Sequence, residues 1–134
     1  MRRFSMMLIL SAAVPVAAFA QAAKPALYTE AQANAGATVY AQTCAACHGS
    51  QLEGVAAPAL KGPPFGDMAN AQSLTVDTLL DVIANTMPQS DPGSLKPEDY
   101  AAVTAYILQQ NGYPAGSAPL AKNAAGLKET KITP

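Results

Sequence analysis

The sequence predicts a small all-α protein with three main helices, and three observations lead there. No segment alternates apolar and polar residues over the length of a useful strand. Segments beginning near Ala31, Thr75 and Pro97 instead place apolar residues at helical spacing. Between the first two lies a run of glycines and prolines, entered through Cys44-Ala45-Ala46-Cys47-His48, which reads as chain wrapped over whatever that run carries.

The 134 residues allow one small domain. The first twenty read as an export signal rather than structure. Arg2 and Arg3 form a charged n-region, Met6 to Ala18 is an almost unbroken apolar run, and Ala18-Phe19-Ala20 supplies a small-x-small cleavage pattern. The apolar run is too short for a membrane anchor and no basic flank follows it. The organisation read from the sequence is a signal peptide at 1–20, a lead-in at 21–30, the domain at 31–112 and a tail at 113–134. Without residues 1–20 the chain loses two of its eight basic residues and none of its nine acidic ones, leaving a net charge of −3. That balance argues against nucleic acid as a partner.

Thr29, followed by Glu30 and Gln32, offers an N-cap for a helix that runs from Ala31 to Cys47. Its face is Ala33, Gly36, Ala37, Tyr40 and Cys44. A glycine inside a helix costs roughly 1 kcal/mol against alanine, so Gly36 marks a close backbone approach or is incidental. From Gly49 to Gly66 the glycines and prolines break regular structure, with Val55, Leu60 and Phe65 as apolar anchors and a short helical turn within 67–73. Thr75 caps a second helix whose stripe is Leu79, Leu80 and Ile83, with Asp77 complementing its dipole, ending near Asn85. Pro97 opens the third, with Glu98 and Asp99 in its first turn and Leu95 and Tyr100 placed as a hydrophobic staple. Its stripe is Val103, Tyr106 and Ile107, flanked by Leu108, and Asn111-Gly112 stops it. The tail carries Pro114, Gly116, Pro119 and Gly126 without a strong period and reads as surface-hugging or mobile.

A C-x-x-C-H run in an exported chain reads as a covalent attachment site for a c-type haem. On a helix, positions i, i+3 and i+4 share a face, so Cys44, Cys47 and His48 point the same way. Two thiols then add across the two vinyl groups of one haem, and the imidazole reaches its iron. The alternatives are weaker. A zinc site needs more ligands than two Cys and one His, a redox dithiol belongs in a βαβ context, and an ordinary disulfide is the remaining bland reading. His48 is thus the expected fifth iron ligand. No second His exists, and outside the leader the methionines are Met68 and Met87. Met87 follows a helix end and precedes Pro88, which stiffens the backbone and holds a thioether at a fixed distance. Met68 lies in the wrapping loop, where a methionine also serves to fill a gap in the core. Met87 is the expected sixth ligand. His/Met ligation favours reduced iron and gives a comparatively high reduction potential. A ligand histidine usually donates its other ring N–H to a carbonyl, and Pro58 is placed to offer one.

With these residues in hand, the sequence resembles a class I, single-haem bacterial cytochrome c over about residues 36–112. Gly36-x-x-x-Tyr40-x-x-x-Cys44-Ala-Ala-Cys47-His48-Gly49 resembles that family's first helix and haem motif. The resemblance implies a small cytochrome c fold, with Gly36 and Tyr40 packed on the last helix at Val103 and Tyr106. Pro58-Ala59-Leu60 resembles its Pro-x-Leu, in which the proline carbonyl meets the haem histidine and the leucine packs on the ring. Met87-Pro88 resembles its sixth-ligand loop. Ala57 stands where a Gly is frequent, and no Trp is available to hold a propionate. Thr86-Met87-Pro88, Pro92-Gly93-Ser94-Leu95, Tyr100, Ala105-Tyr106-Ile107-Leu108 and Asn111-Gly112-Tyr113-Pro114 resemble a narrower group, cytochromes that accept electrons from periplasmic quinoprotein dehydrogenases.

The expected function is therefore that of a periplasmic electron carrier with one haem c and its iron. Its donor is a periplasmic dehydrogenase and its acceptor an oxidase or other redox protein, with no membrane span after signal cleavage. Two alternatives stand beside it: a cytochrome subunit fixed to one dehydrogenase, docked through 113–134, and a haem sensor or gas-binding protein with an open or labile sixth position. A peroxide-acting enzyme lacks a distal His or Arg, since both arginines fall in the leader.

Overall fold

The computed structural model describes residues 23–133, so the predicted signal peptide at 1–20 lies outside the described residues. Among the described residues the fold is all-α, with five helical segments: α1 Glu30–Thr43, α2 Ala45–His48, α3 Gly62–Ala71, α4 Val76–Thr86 and α5 Pro97–Gln110. No helix among them is long and apolar enough to cross a membrane.

The frame is the crossing of α1 and α5. Thr29 caps α1, its hydroxyl accepting from the Gln32 N–H at 3.2 Å. The face of α1 that turns inward is Ala33, Gly36 and Tyr40. Gly36 explains how closely the helices meet: a Cβ there would stand 1.9 Å from the Ala102 carbonyl oxygen. Backbone sits where a side chain would be, so only glycine fits. One turn on, the rings of Tyr40 and Tyr106 meet with centroids 5.4 Å apart at 53°, a tilted aromatic pair of the favourable kind. Helix α5 is buried along most of its length, including Val103, Thr104, Ile107 and Leu108. The Thr104 hydroxyl, fully buried, donates back to the Tyr100 carbonyl at 2.9 Å.

Helix α4 packs on α5. Thr75 and Thr78 form a reciprocal capping box at its start, which satisfies two first-turn amides with two side chains.

The structure departs from the sequence-based expectations in four places. The helix expected over 31–47 breaks at Cys44, and the short α2 restarts with the Cys47 and His48 amides both bonded to the Cys44 carbonyl. The segment expected to stay irregular up to Gly66 turns helical at Gly62, because Pro63 and Pro64 occupy the first turn, where a missing N–H costs nothing. Val55, expected as an anchor, is 73% exposed. Leu52 is the buried anchor of that loop and holds it with φ +61°, a left-handed conformation uncommon outside glycine.

The fourth departure concerns residues 113–133. They bury Tyr113, Leu120, Leu127 and Ile132 in the same core as the helices. The Gln32 side chain holds Leu120 from both sides, donating to its carbonyl at 2.7 Å and accepting from its amide at 2.8 Å. The Thr130 and Leu127 carbonyls accept from the Val76 and Asp77 amides, supplying partners that the first turn of α4 lacks. Thr75 and Lys131 form an isolated antiparallel bridge. The lead-in joins this packing as well, since Tyr28 is buried and donates its hydroxyl hydrogen to the Tyr113 carbonyl.

Candidate haem site

Beneath α2, the loops and α4 lies a cavity of about 610 Å³. One wall is the Cys44–His48 segment. Cys44 is half-buried, Cys47 exposed, and the two are not joined in a disulfide. Burial pushes the Cys44 thiol above its ordinary pKa. The wall is set by backbone bonding. The Cys47 carbonyl accepts from the amides of Val55, Ala56 and Ala57 at 3.2, 3.0 and 3.0 Å, and the His48 carbonyl accepts from Gly54 at 2.8 Å. These bonds fold the loop back over the motif. Tyr40, reaching across from α1, donates its hydroxyl hydrogen to the Gly49 carbonyl at 2.7 Å. Its burial raises the phenol's pKa to about 12. Glu53 accepts from the Gln51 amide at 2.7 Å, and its own amide and that of Gln51 hold the carboxyl below its ordinary pKa.

The fold brings Pro58 to His48, with His48 Nδ1 2.8 Å from the Pro58 carbonyl oxygen. A carbonyl can only accept, so Nδ1 carries the proton and Nε2 keeps its lone pair for a metal. Leu60 lines the cavity, and its carbonyl accepts from the Asn111 amide nitrogen at 2.9 Å. Asn111 also donates to the Ile107 carbonyl at 2.8 Å and accepts from the Gly62 amide at 3.1 Å. One side chain thus joins the end of α5 to the start of α3. From the sequence this asparagine reads only as part of a stop signal.

Met87 lines the same cavity as the C-cap of α4, its amide bonded to the Ile83 carbonyl at 3.1 Å. Met68, from α3, lines it too. Tyr100 is a polar partner here that the sequence did not disclose. Expected as a staple residue, it also donates its hydroxyl hydrogen to the Met87 carbonyl at 2.9 Å and accepts from the Leu95 amide at 3.2 Å. A tyrosine, rather than an aliphatic residue, at a staple position was the available signal.

The cavity fits a haem by size and by chemistry. Its volume falls in the ordinary range for cofactor sites, about 300–1,000 Å³. Its lining is mostly apolar, with Phe65, Leu74, Leu79, Ile83, Val103 and Ile107 facing it, and it includes no lysine, arginine or carboxylate. Two thiols, an imidazole and two thioethers are the soft and nitrogen donors that iron porphyrins take. Among the described residues no cluster of three or more His, Cys, Asp or Glu offers a rival metal site.

The family comparison agrees with that chemistry. The family profile described as "Cytochrome C oxidase, cbb3-type, subunit III" matches residues 31–107, from α1 through most of α5. Among solved structures, a chain of the sulfane dehydrogenase SoxCD from Paracoccus pantotrophus superposes with a TM-score of 0.60 at 24% identity, over 75% of this chain and 52% of that one. A chain of the thiosulfate dehydrogenase TsdBA from Marichromatium purpuratum is 33% identical over 63% of this chain and 20% of that one, with a TM-score of 0.45. The present chain thus spans about half of the first and a fifth of the second, and the likeness to SoxCD is one of fold. No curated protein matches the sequence.

Proposed function

The chain belongs to the "Cytochrome C oxidase, cbb3-type, subunit III" family of c-type cytochromes, carries covalently bound haem c and transfers electrons, and from that premise we propose that it is a periplasmic one-electron shuttle whose iron is held by His48 and Met87. One observation carries the reading: Cys44, Cys47, His48 and Met87 line a single apolar cavity while His48 Nδ1 meets the Pro58 carbonyl at 2.8 Å. The bound haem supplies reversible one-electron chemistry at iron.

The residues' parts follow from their chemistry. Cys44 and Cys47 form the two thioether bonds that retain the cofactor. His48 ligates through Nε2, and its Nδ1–H to Pro58 fixes the ring's orientation and raises its basicity. Met87 supplies a neutral, soft thioether that favours ferrous iron and raises the potential. Leu60 and the other apolar side chains exclude water, which further penalises the more highly charged ferric centre. Held by both His48 and Met87, the haem would exchange one electron with little movement of either side chain, and the site would offer no position for substrate.

Support for a dehydrogenase as donor comes from the resemblance carried by residues 86–114 to cytochromes that serve quinoprotein dehydrogenases. An oxidase or another redox protein is the acceptor.

Ligation is tested by the ferric visible spectrum. Wild type should show the weak far-red charge-transfer band of methionine-ligated haem, and Met87→Ala should lose it. A band that persists in Met87→Ala would move the assignment to Met68. Rapid carbon monoxide binding by the untreated ferrous protein would favour the gas-binding alternative.

A further inference from the structure

We propose that Tyr100 is a positioning residue for the sixth-ligand segment, its hydroxyl acting as a latch that keeps the Met87 thioether on the iron. The proposal rests on Met87 being that ligand.

Residues 87–95 leave the end of α4 and return to the start of α5. Within them the hydrogen bonds are local turns, Asp91 N–H to the Pro88 carbonyl at 2.9 Å and Ser94 N–H to the Asp91 carbonyl at 3.3 Å. Residues 89–94 are exposed throughout. Such a segment has little holding it closed. The Tyr100 hydroxyl spans its two ends: it donates to the Met87 carbonyl at 2.9 Å and accepts from the Leu95 amide at 3.2 Å. Both capacities of one phenol oxygen are spent on the two residues that bracket the segment.

The anchor itself is fixed. Tyr100 is 4% exposed, in the first turns of α5, and α5 is the helix that α1 clamps at Gly36. Any opening of the segment that carries the Met87 backbone away from the cavity must break the Met87–Tyr100 bond or drag the buried ring with it. The latch therefore raises the free energy of the state in which iron has lost its thioether and is open to another ligand. Removing the hydroxyl leaves the Met87 carbonyl and the Leu95 amide without that partner only while the segment stays closed, which favours opening.

The test uses haem-loaded Tyr100→Phe, which keeps the ring and removes only the hydroxyl, with imidazole as the competing ligand for ferric iron. Tyr28→Phe serves as reference, because it too removes a buried hydroxyl bonded to a backbone carbonyl, at Tyr113 and away from the cavity. We expect imidazole to displace Met87, read as loss of the far-red band, with an apparent Kd about tenfold lower in Tyr100→Phe than in wild type. Tyr28→Phe should bind imidazole as wild type does. Equal affinity in wild type and Tyr100→Phe would overturn the latch, and so would an equal gain in both variants, which would mark general loosening. The ligand reading fails separately, if wild type lacks the far-red band or Met87→Ala retains it. Should Tyr100→Phe not load haem, amide exchange in the wild-type protein decides: slow exchange at Leu95 supports the latch, and exchange at the rate of a free loop amide overturns it.

Discussion

The α1–α5 crossing, whose helices reach the cofactor cavity through Thr43, Val103 and Ile107, and the 87–95 segment, which reaches it through Met87 to Ser90, are built on opposite terms. At the crossing, backbone touches backbone, with the Ala102 carbonyl where a Gly36 side chain would be, and neighbouring turns interlock through Tyr40 and Tyr106. The 87–95 segment is largely exposed and is spanned by one phenol hydroxyl. The contrast separates two tasks. The haem motif needs a rigid mount, so Cys44–His48 follows directly on the clamped helix and is bonded back by its own loop. Met87, the proposed sixth ligand, needs only to be returned to one place, and a segment hung between two helix ends does that with few contacts.

The sharpest way to break the comparison is to make the same substitution in both regions. Gly36→Ala should cost more than about 3 kcal/mol, because a methyl placed 1.9 Å from a backbone oxygen can be relieved only by separating the helices. Thermal melts of the haem-loaded protein should show a large loss, or little holoprotein should accumulate at all. A near-normal melt would mean that the crossing is softer than its geometry implies.

Leu127→Ala comes next, at about 2 kcal/mol, the low end for a buried leucine because its surroundings are irregular and can partly collapse. The measurement is again the melt. It asks whether residues 113–133 belong to the rigid frame, as their burial indicates; a change within about 0.5 kcal/mol would instead class them with exposed chain.

Gly93→Ala is the counterpart to Gly36→Ala. Gly93 has φ +81°, and the space a Cβ would enter is open, so the penalty is conformational rather than steric, about 1 kcal/mol. Because Tyr100 holds both ends of the segment, the far-red band and the imidazole affinity should stay close to wild type. A loss as large as that of Gly36→Ala would erase the distinction between the two regions.

How much of this was legible in the sequence follows the same divide. Local chemistry could be read directly: the Cys44–His48 spacing, the caps at Thr29 and Thr75 and the Gly36 stripe are all set by near neighbours. Helix α3 was obscured because Pro63, Pro64 and Gly66 read as breakers, although prolines in a first turn leave the ladder intact. Leu52, rather than Val55, is the buried anchor, because loop residues lack a period that assigns one of them to the core. The burial of Leu120, Leu127 and Ile132 depends on partners as distant as Gln32 and Val76, and no local pattern announces such pairing. The Tyr100 hydroxyl is the same kind of case, since its partners are fixed only once α4 and α5 are packed.

The smallest expected effect concerns the polar pin of the rigid region, the Tyr40 hydroxyl on the Gly49 carbonyl. Burial raises its pKa to about 12, from an ordinary value of 10.0. The sign follows from the direction: the fold prefers the protonated phenol, so its contribution to stability is complete below about pH 10 and is lost as pH rises toward 12. Tyr28 is shifted the same way, again mainly by burial, so the alkaline loss has more than one source. Tyr40→Phe should therefore remove the last phenol to ionise, seen as a missing component near pH 12 in the phenolate absorbance titration, and should shallow the fall in melting temperature between pH 10 and 12. If the component lost were instead one near pH 10, Tyr40 would already meet solvent, and the attachment side of the cavity would be no more closed than the segment facing it.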